Sequence, residues 1–142
     1  MSLLNYFDHH DRRESKEHFL QLVQVASADG VIDKSENEFL HRMGNHLGFT
    51  DPEIDELILK KETKSYVPPY ELKKRFHRLY DVVAMALADG VLYTNEINML
   101  KKLAVASGFN NNDIDQLINL LINGIKYGKN EDDLLKAFKE KN

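Results

Sequence analysis

A chain of 142 residues, 42% hydrophobic and 30% charged, has the length and composition of one ordinary domain or of two small halves sharing a core. With no cysteine, disulfides and thiolate zinc sites are excluded, and the apolar runs are far too short to span a bilayer. A net charge of −4 and a pI near 5.8 argue against a nucleic-acid partner, which needs a basic stripe, and leave room for cations or basic protein surfaces.

The opening segment, MSLLNYFDHHDRRESK, has a few apolar residues followed by acid and base. It lacks a cationic leader and a small-residue cleavage site, so a cytoplasmic location is expected. A short helix is predicted near Leu3–Asp8. The next helix is read from Phe19, Leu22, Val23 and Ala26, one apolar face of a 3.6-residue period. The stretch ADGVIDKSE, Ala28 to Glu36, turns the corner. Gly30 suits a left-handed cap there, and Asp33 with Glu36 has capping-box spacing. A second helix should bury Leu40, Met43 and Leu47 and stop at Gly48. TDPE then opens a third, with Thr50 as N-cap, Pro52 in the first turn, Glu53 closing a capping box, and Ile54, Leu57 and Ile58 facing inward.

KKETKSYVPPYE is a linker whose prolines cannot sit inside a helix, and Pro69 is expected to start the next one. Leu79, Val82, Val83 and Ala86 then restate the first stripe. ADGVLYTNE, Ala88 to Glu96, restates the corner. The following helix shows Leu100 and Leu103 but Ser107 at the third place. Asn110 and Asp113 stand where Thr50 and Glu53 stood, ahead of Ile114, Leu117, Ile118 and Leu121. A charged amphipathic helix near Asn130–Lys139 ends the chain, with Leu134, Leu135 and Phe138 to bury. It is expected to dock on the core or on a partner.

A shift of sixty residues lays Ala26–Asp55 over Ala86–Asp115 without a gap, with about eleven of the thirty positions identical. The reading is all-α: about seven helices, built as a pseudo-two-fold pair of three-helix units in a single domain over 1–142. The repeats are 15–62 and 75–122, joined by the linker 63–74.

Two causes compete for the repeated acid at the corners. Asp33 and Glu36 satisfy a capping box, a purely local use. Asp29 and Asp89 stand at helix C-termini, where a carboxylate opposes the dipole and asks for another reason. Tyr93 stands where Asp33 stood and cannot cap, so Thr94 is expected to take that role, yet Glu96 is kept. An EF-hand does not fit, because its first ligand would be Val25 in one copy and Met85 in the other. Facing corners would instead gather Asp29, Asp33, Glu36, Asp89 and Glu96 as oxygen ligands suited to Ca²⁺, Mg²⁺ or Mn²⁺.

The order Ala28-Asp29-Gly30, then Asp33 and Glu36, then after a helix Leu47-Gly48-Phe49 with Glu53 and Ile54, resembles the TerB-like family, named for bacterial tellurite-resistance proteins. The resemblance covers roughly residues 19–121. It implies an all-helical, pseudo-symmetric cytoplasmic domain with a role in stress or metal-ion response. It also implies acidic residues suspected of binding cations, and use as an interaction module. Some members carry a J-domain segment, but this chain has no His-Pro-Asp triplet.

Other chemistry is set aside. Glu38 and His41 share di-iron spacing, but Asn98 and Lys101 take those places in the second copy. His9 and His10 read as an exposed terminus, and His18, His46 and His77 have no matching partner between copies. No nucleophile elbow, Walker loop or zinc-protease helix occurs. The expected function is therefore non-enzymatic: binding of a divalent cation or a protein partner through the acidic corners. The alternative is a plain helical adaptor whose corners are only caps.

Overall fold

In a computed structural model of the chain, which describes residues 12–28, 30–60, 67–88, 90 and 92–141, the apolar stripes lie on helices. The described residues form seven α-helices and one 3-10 turn, with no strand among them. No helix among them is long and apolar enough to cross a membrane. They divide into two compact units, Met1–Tyr66 and Val67–Asn142, and the division falls inside the expected linker. The helix expected near Leu3–Asp8 lies outside the described residues.

The first unit contains α1 (Arg12–Ala26), α2 (Lys34–His46) and α3 (Asp51–Leu59). Phe19, Leu22, Val23 and Ala26 of α1 are buried with Leu40 and Met43 of α2 and Ile54 of α3. Burial of this apolar area drives the packing, at roughly 25 cal/mol per Å². Leu57 and Ile58, expected inside, are only half-buried. Among the described residues no further helix of this unit lies over α3. The α2–α3 turn is closed by Gly48 at φ +95 and by the Phe49 N–H donating to the Gly44 carbonyl at 2.9 Å. This six-to-one bond is a Schellman motif, and glycine takes its left-handed residue without strain. Thr50 then caps α3, and Glu53 reaches back to the Thr50 N–H at 2.9 Å, as the TDPE stretch predicts.

The second unit contains α4 (Leu72–Ala88), α5 (Thr94–Ala106), the 3-10 turn (Asn111–Asp113), α6 (Ile114–Lys126) and α7 (Glu131–Lys141). Leu79, Val82, Val83 and Ala86 are buried with Leu100, Ile114, Leu117, Ile118 and Leu121. Helix α5 starts and ends sixty residues after α2. The Phe109 N–H donates to the Ala104 carbonyl beside Gly108, in the same motif as the first unit. Helix α7 packs on both α4 and α6. Phe138 places its ring 6.0 Å from that of Phe76 and 5.7 Å, edge-on, from that of Phe109. Leu134 presses on Gly124, where an added Cβ would stand 2.3 Å from Leu134 Cδ2.

Three expectations need correction. Pro69 does not start a helix: residues 67–69 are irregular and α4 begins at Leu72, with the Glu71 carbonyl accepting from the Arg75 N–H. Consecutive prolines bias the chain to extended conformations, and Phe76 is the first residue there with a core to enter. Thr94 does not cap α5, because the Glu96 carboxylate binds the Tyr93 N–H at 3.1 Å and fixes the start there. Asn110 does cap, accepting from the Asn112 N–H at 3.0 Å, but it opens a 3-10 turn, and Asp113 makes no side-chain cap bond to α6.

The two cores differ by a compensating exchange. In the first unit an added Cβ on Gly44 would stand 2.5 Å from Ile54 and 3.0 Å from Phe19. Sixty residues on, the methyl of Ala104 is present, and the smaller Leu79 replaces Phe19. One large and one missing side chain become two of middle size, which keeps the packed volume.

Candidate functional site

The first corner follows α1. The Ser27 hydroxyl donates to the Val23 carbonyl at 2.8 Å, the Gly30 N–H donates to the Ser27 carbonyl at 2.8 Å, and Gly30 sits at φ +94. Val31 then stands 74% exposed. Asp33 Oδ1 accepts the Glu36 N–H at 2.7 Å, and Glu36 Oε1 accepts the Asp33 N–H at 3.1 Å. Both carboxylates are thus turned onto the first turn of α2, where the helix dipole also favours them. The second corner has Gly90 at φ +110 and an exposed Tyr93. Glu96 is a buried carboxylate, 5% exposed, that accepts the Tyr93 N–H. Of the five residues singled out as ligands, the structure brings Asp33 and Glu36 together and places Glu96 on the second unit's corner. Asp29 and Asp89 lie outside the described residues.

Other polar constructions were not anticipated from the sequence. His41, on α2, places Nδ1 2.8 Å from Asp51 Oδ1 and Nε2 2.8 Å from Asp55 Oδ1, and each carboxylate oxygen accepts from a protonated ring nitrogen. Its partners are on α3, not the Glu38 that shares its helix. Burial works against its charge, but the two carboxylates outweigh burial and raise its pKa above the ordinary value. His77, on α4, has Nε2 3.2 Å from Asp81 and Nδ1 2.7 Å from Glu131 of α7. The bond to Asp81 is the largest cause of a pKa raised to about 9; burial opposes it and Glu131 adds to it. At neutral pH this ring is an imidazolium clamped between two carboxylates.

His77, Asp81 and Glu131 offer ligand atoms within 4.8 Å of one another. A divalent ion there would have to displace the proton, and it could take only one ring nitrogen while each carboxylate faces a different one. The geometry is that of a proton-bearing clamp. The i, i+4 spacing of His77 and Asp81 was visible in the sequence, as was that of Asp51 and Asp55. The residue from the neighbouring helix that completes each set was not.

Each unit also ties an arginine to the aromatic turn of its second helix. Arg12 donates to the Gly48 carbonyl at 3.4 Å and lies 4.9 Å from the Phe49 ring centre. Arg75 donates to the Ser107 carbonyl at 3.3 Å and lies 5.6 Å from the Phe109 ring centre. A cation at a helix C-terminus and over an aromatic face is doubly favoured.

Comparison of the chain with family models, with curated proteins and with solved structures returned no match.

Proposed function

We propose that the protein is a non-enzymatic helical module of the TerB-like kind that works by binding a protein partner, with its acidic corners serving as helix caps. The observation that carries this reading is the reciprocal bonding of Asp33 and Glu36, which uses both carboxylates to close one helix start. The histidines suited to proton transfer argue in the same direction. His41 and His77 are each held between two carboxylates, which favours a fixed charge over a shuttling proton. The resemblance supplies the cytoplasmic setting and the link to stress or metal-ion response, tellurite resistance included.

A second reading has the corners bind Ca²⁺, Mg²⁺ or Mn²⁺ through Asp29, Asp33, Glu36, Asp89 and Glu96. The repetition of Asp29, Gly30 and Glu36 as Asp89, Gly90 and Glu96 favours it. Thermal melting in chelator and then with each ion separates the two. An ion at a hundred times its dissociation constant adds about 2.7 kcal/mol to a protein that binds it. The cap reading predicts no shift for the wild type, and a lower Tm in every buffer for Asp33→Ala. A shift with one ion that disappears in Glu36→Gln establishes the second reading.

A further inference from the structure

The last helix of the first unit is lightly held. Helix α3 has nine residues, and an isolated helix shorter than about 12 residues is marginal in water, so α3 depends on what it docks against. Its buried side chain is Ile54, set against Gly44 of α2 and Phe19 of α1. Leu57 and Ile58 are half-buried, and Leu59 is 86% exposed. With so little apolar area in the joint, its polar ties matter. Glu53 ties α3 to Arg12 of α1 at 3.1 Å. Asp51 and Asp55 tie it to α2 through His41.

The His41 tie needs a proton. Each ring nitrogen stands 2.8 Å from a different carboxylate. A carboxylate oxygen only accepts, so both nitrogens must carry hydrogen, and only the imidazolium has two N–H groups. A neutral ring keeps one N–H and turns the lone pair of its other nitrogen onto a carboxylate. One bond is then lost and one contact becomes repulsive, whichever tautomer forms. Among the described residues, the charged groups that act on the ring are Asp51 and Asp55, both of α3. Helix α1 also packs on α2 and presents none, and Glu38, one turn back on α2, makes no bond to the ring. Asn45 of α2 donates to Asp51 Oδ1 at 3.3 Å and keeps that carboxylate turned toward His41. At the matching place of the second unit, Lys101 meets Asp115 at 3.0 Å, and Asn111 stands where Asp51 stood.

We propose that His41 is a proton-operated latch: its imidazolium fastens α3 to α2, and loss of the ring proton releases α3 while α1 and α2 stay packed. On release Ile54 leaves Gly44 and Phe19, and that apolar floor opens to solvent. Burial works against the charged ring, but the bonds to Asp51 and Asp55 outweigh it and raise the pKa above the ordinary 6.5. The stabilisation is therefore fully present below about pH 6.5, while the carboxylates stay ionised, and is lost as pH rises through the raised value. Between those limits the released fraction grows by up to about tenfold per pH unit, and it is level on either side. The latch goes beyond the reading of the protein as a binding module and does not depend on it.

The test is hydrogen exchange of the full chain by quench-flow mass spectrometry, from about pH 5.5 to about 9, across the range in which histidines titrate. It is read as protection factors, so that the intrinsic pH dependence of exchange is removed. The ¹⁵N shifts of the imidazole follow the titration of His41 itself. Protection of α3 should be level at low pH and then fall by about tenfold, the scale of two exposed charge pairs, with its midpoint at the titration of His41. Protection of α1 and α2 should not change. In His41→Lys, a side chain ordinarily charged to about pH 10, α3 should stay protected across the window. In His41→Gln, α3 should show the released level at every pH. A level α3 curve in the wild type through the titration of His41 overturns the latch. So does the same fall in His41→Lys, or an equal fall across α1 and α2, which is unfolding of the whole unit. Should His41→Lys not fold, as judged by circular dichroism, a pH-dependent α3 in His41→Gln overturns the latch and a level one supports it.

Discussion

The first and second units each carry the repeated sequence on helices in the same chain order, with different ties. In the first, His41 of α2 is held by Asp51 and Asp55 of α3. In the second, the matching place belongs to Lys101, which pairs with Asp115 of α6 at 3.0 Å. One tie rests on a histidine whose pKa the two carboxylates raise, the other on a lysine with a single carboxylate partner. Among the described residues, Arg12, Lys16 and Lys60 stand beside Phe49 in the first unit, whereas α7 covers Phe109 in the second. The aromatic turn is gripped in both, by arginines that come from different register positions, Arg12 and Arg75. The core differs by a compensating pair, Phe19 with Gly44 against Leu79 with Ala104, and by single exchanges such as Leu47 against Ser107. The surface diverges freely because solvent screens each change.

That contrast can be broken at several points. The largest effect is expected in the cover that α7 gives the second unit. Leu134→Ala empties a fully buried site against Gly124 and should cost about 2–5 kcal/mol in urea unfolding. A cost below 1 kcal/mol would mean that α7 is dispensable to its unit. Next comes the core exchange. Gly44→Ala should cost about 1–3 kcal/mol by overpacking, reduced by up to about 1 kcal/mol of helix propensity. Phe19→Leu in the same chain should recover part of the loss, giving a favourable coupling in a double-mutant cycle. Additive losses would refute the compensation.

The histidine clamp gives a smaller, pH-dependent effect. The folded pKa of His77, about 9, lies above its ordinary 6.5, so the clamp stabilises fully below about pH 6.5. That stabilisation is lost as pH rises through about 9. The side chains are partly exposed, which limits the contribution to about 1 kcal/mol or less. Urea midpoints of the wild type and His77→Gln should differ at pH 6 and converge above pH 9. The smallest effect concerns the corners. Tyr93→Asp would restore the cap that Asp33 provides and should stabilise by about 0.5–1 kcal/mol, whereas Asp33→Ala should cost about 1 kcal/mol. A Tm lowered by Tyr93→Asp would show that the exposed tyrosine does more than occupy the place.

Much of this frame was legible in the sequence, because helix period, left-handed glycines and capping boxes are local signals. The stripe of Phe19, the Thr50–Glu53 box and the stop at Gly48 all follow from neighbours a few residues apart. The start of α4 was not legible, since it depends on where Phe76 first meets a core. The clamps were missed for a related reason: His41 finds Asp51 and Asp55, and His77 finds Glu131, only after helices pack. Half-burial of Leu57 and Ile58 was also beyond reach, because it depends on whether another helix of the unit covers α3. The corners remain the place where sequence alone leaves two causes open, since one carboxylate can both cap a helix and hold an ion.

Chemical-shift mapping of the ¹⁵N-labelled chain titrated with Ca²⁺ and then with Mg²⁺ tests the central claim most directly, namely that Asp33 and Glu36 close a helix start rather than hold an ion. The account predicts no perturbation at Asp33, Glu36 or Glu96 with either ion. Saturable perturbations at these residues that are lost in Glu36→Gln would contradict it.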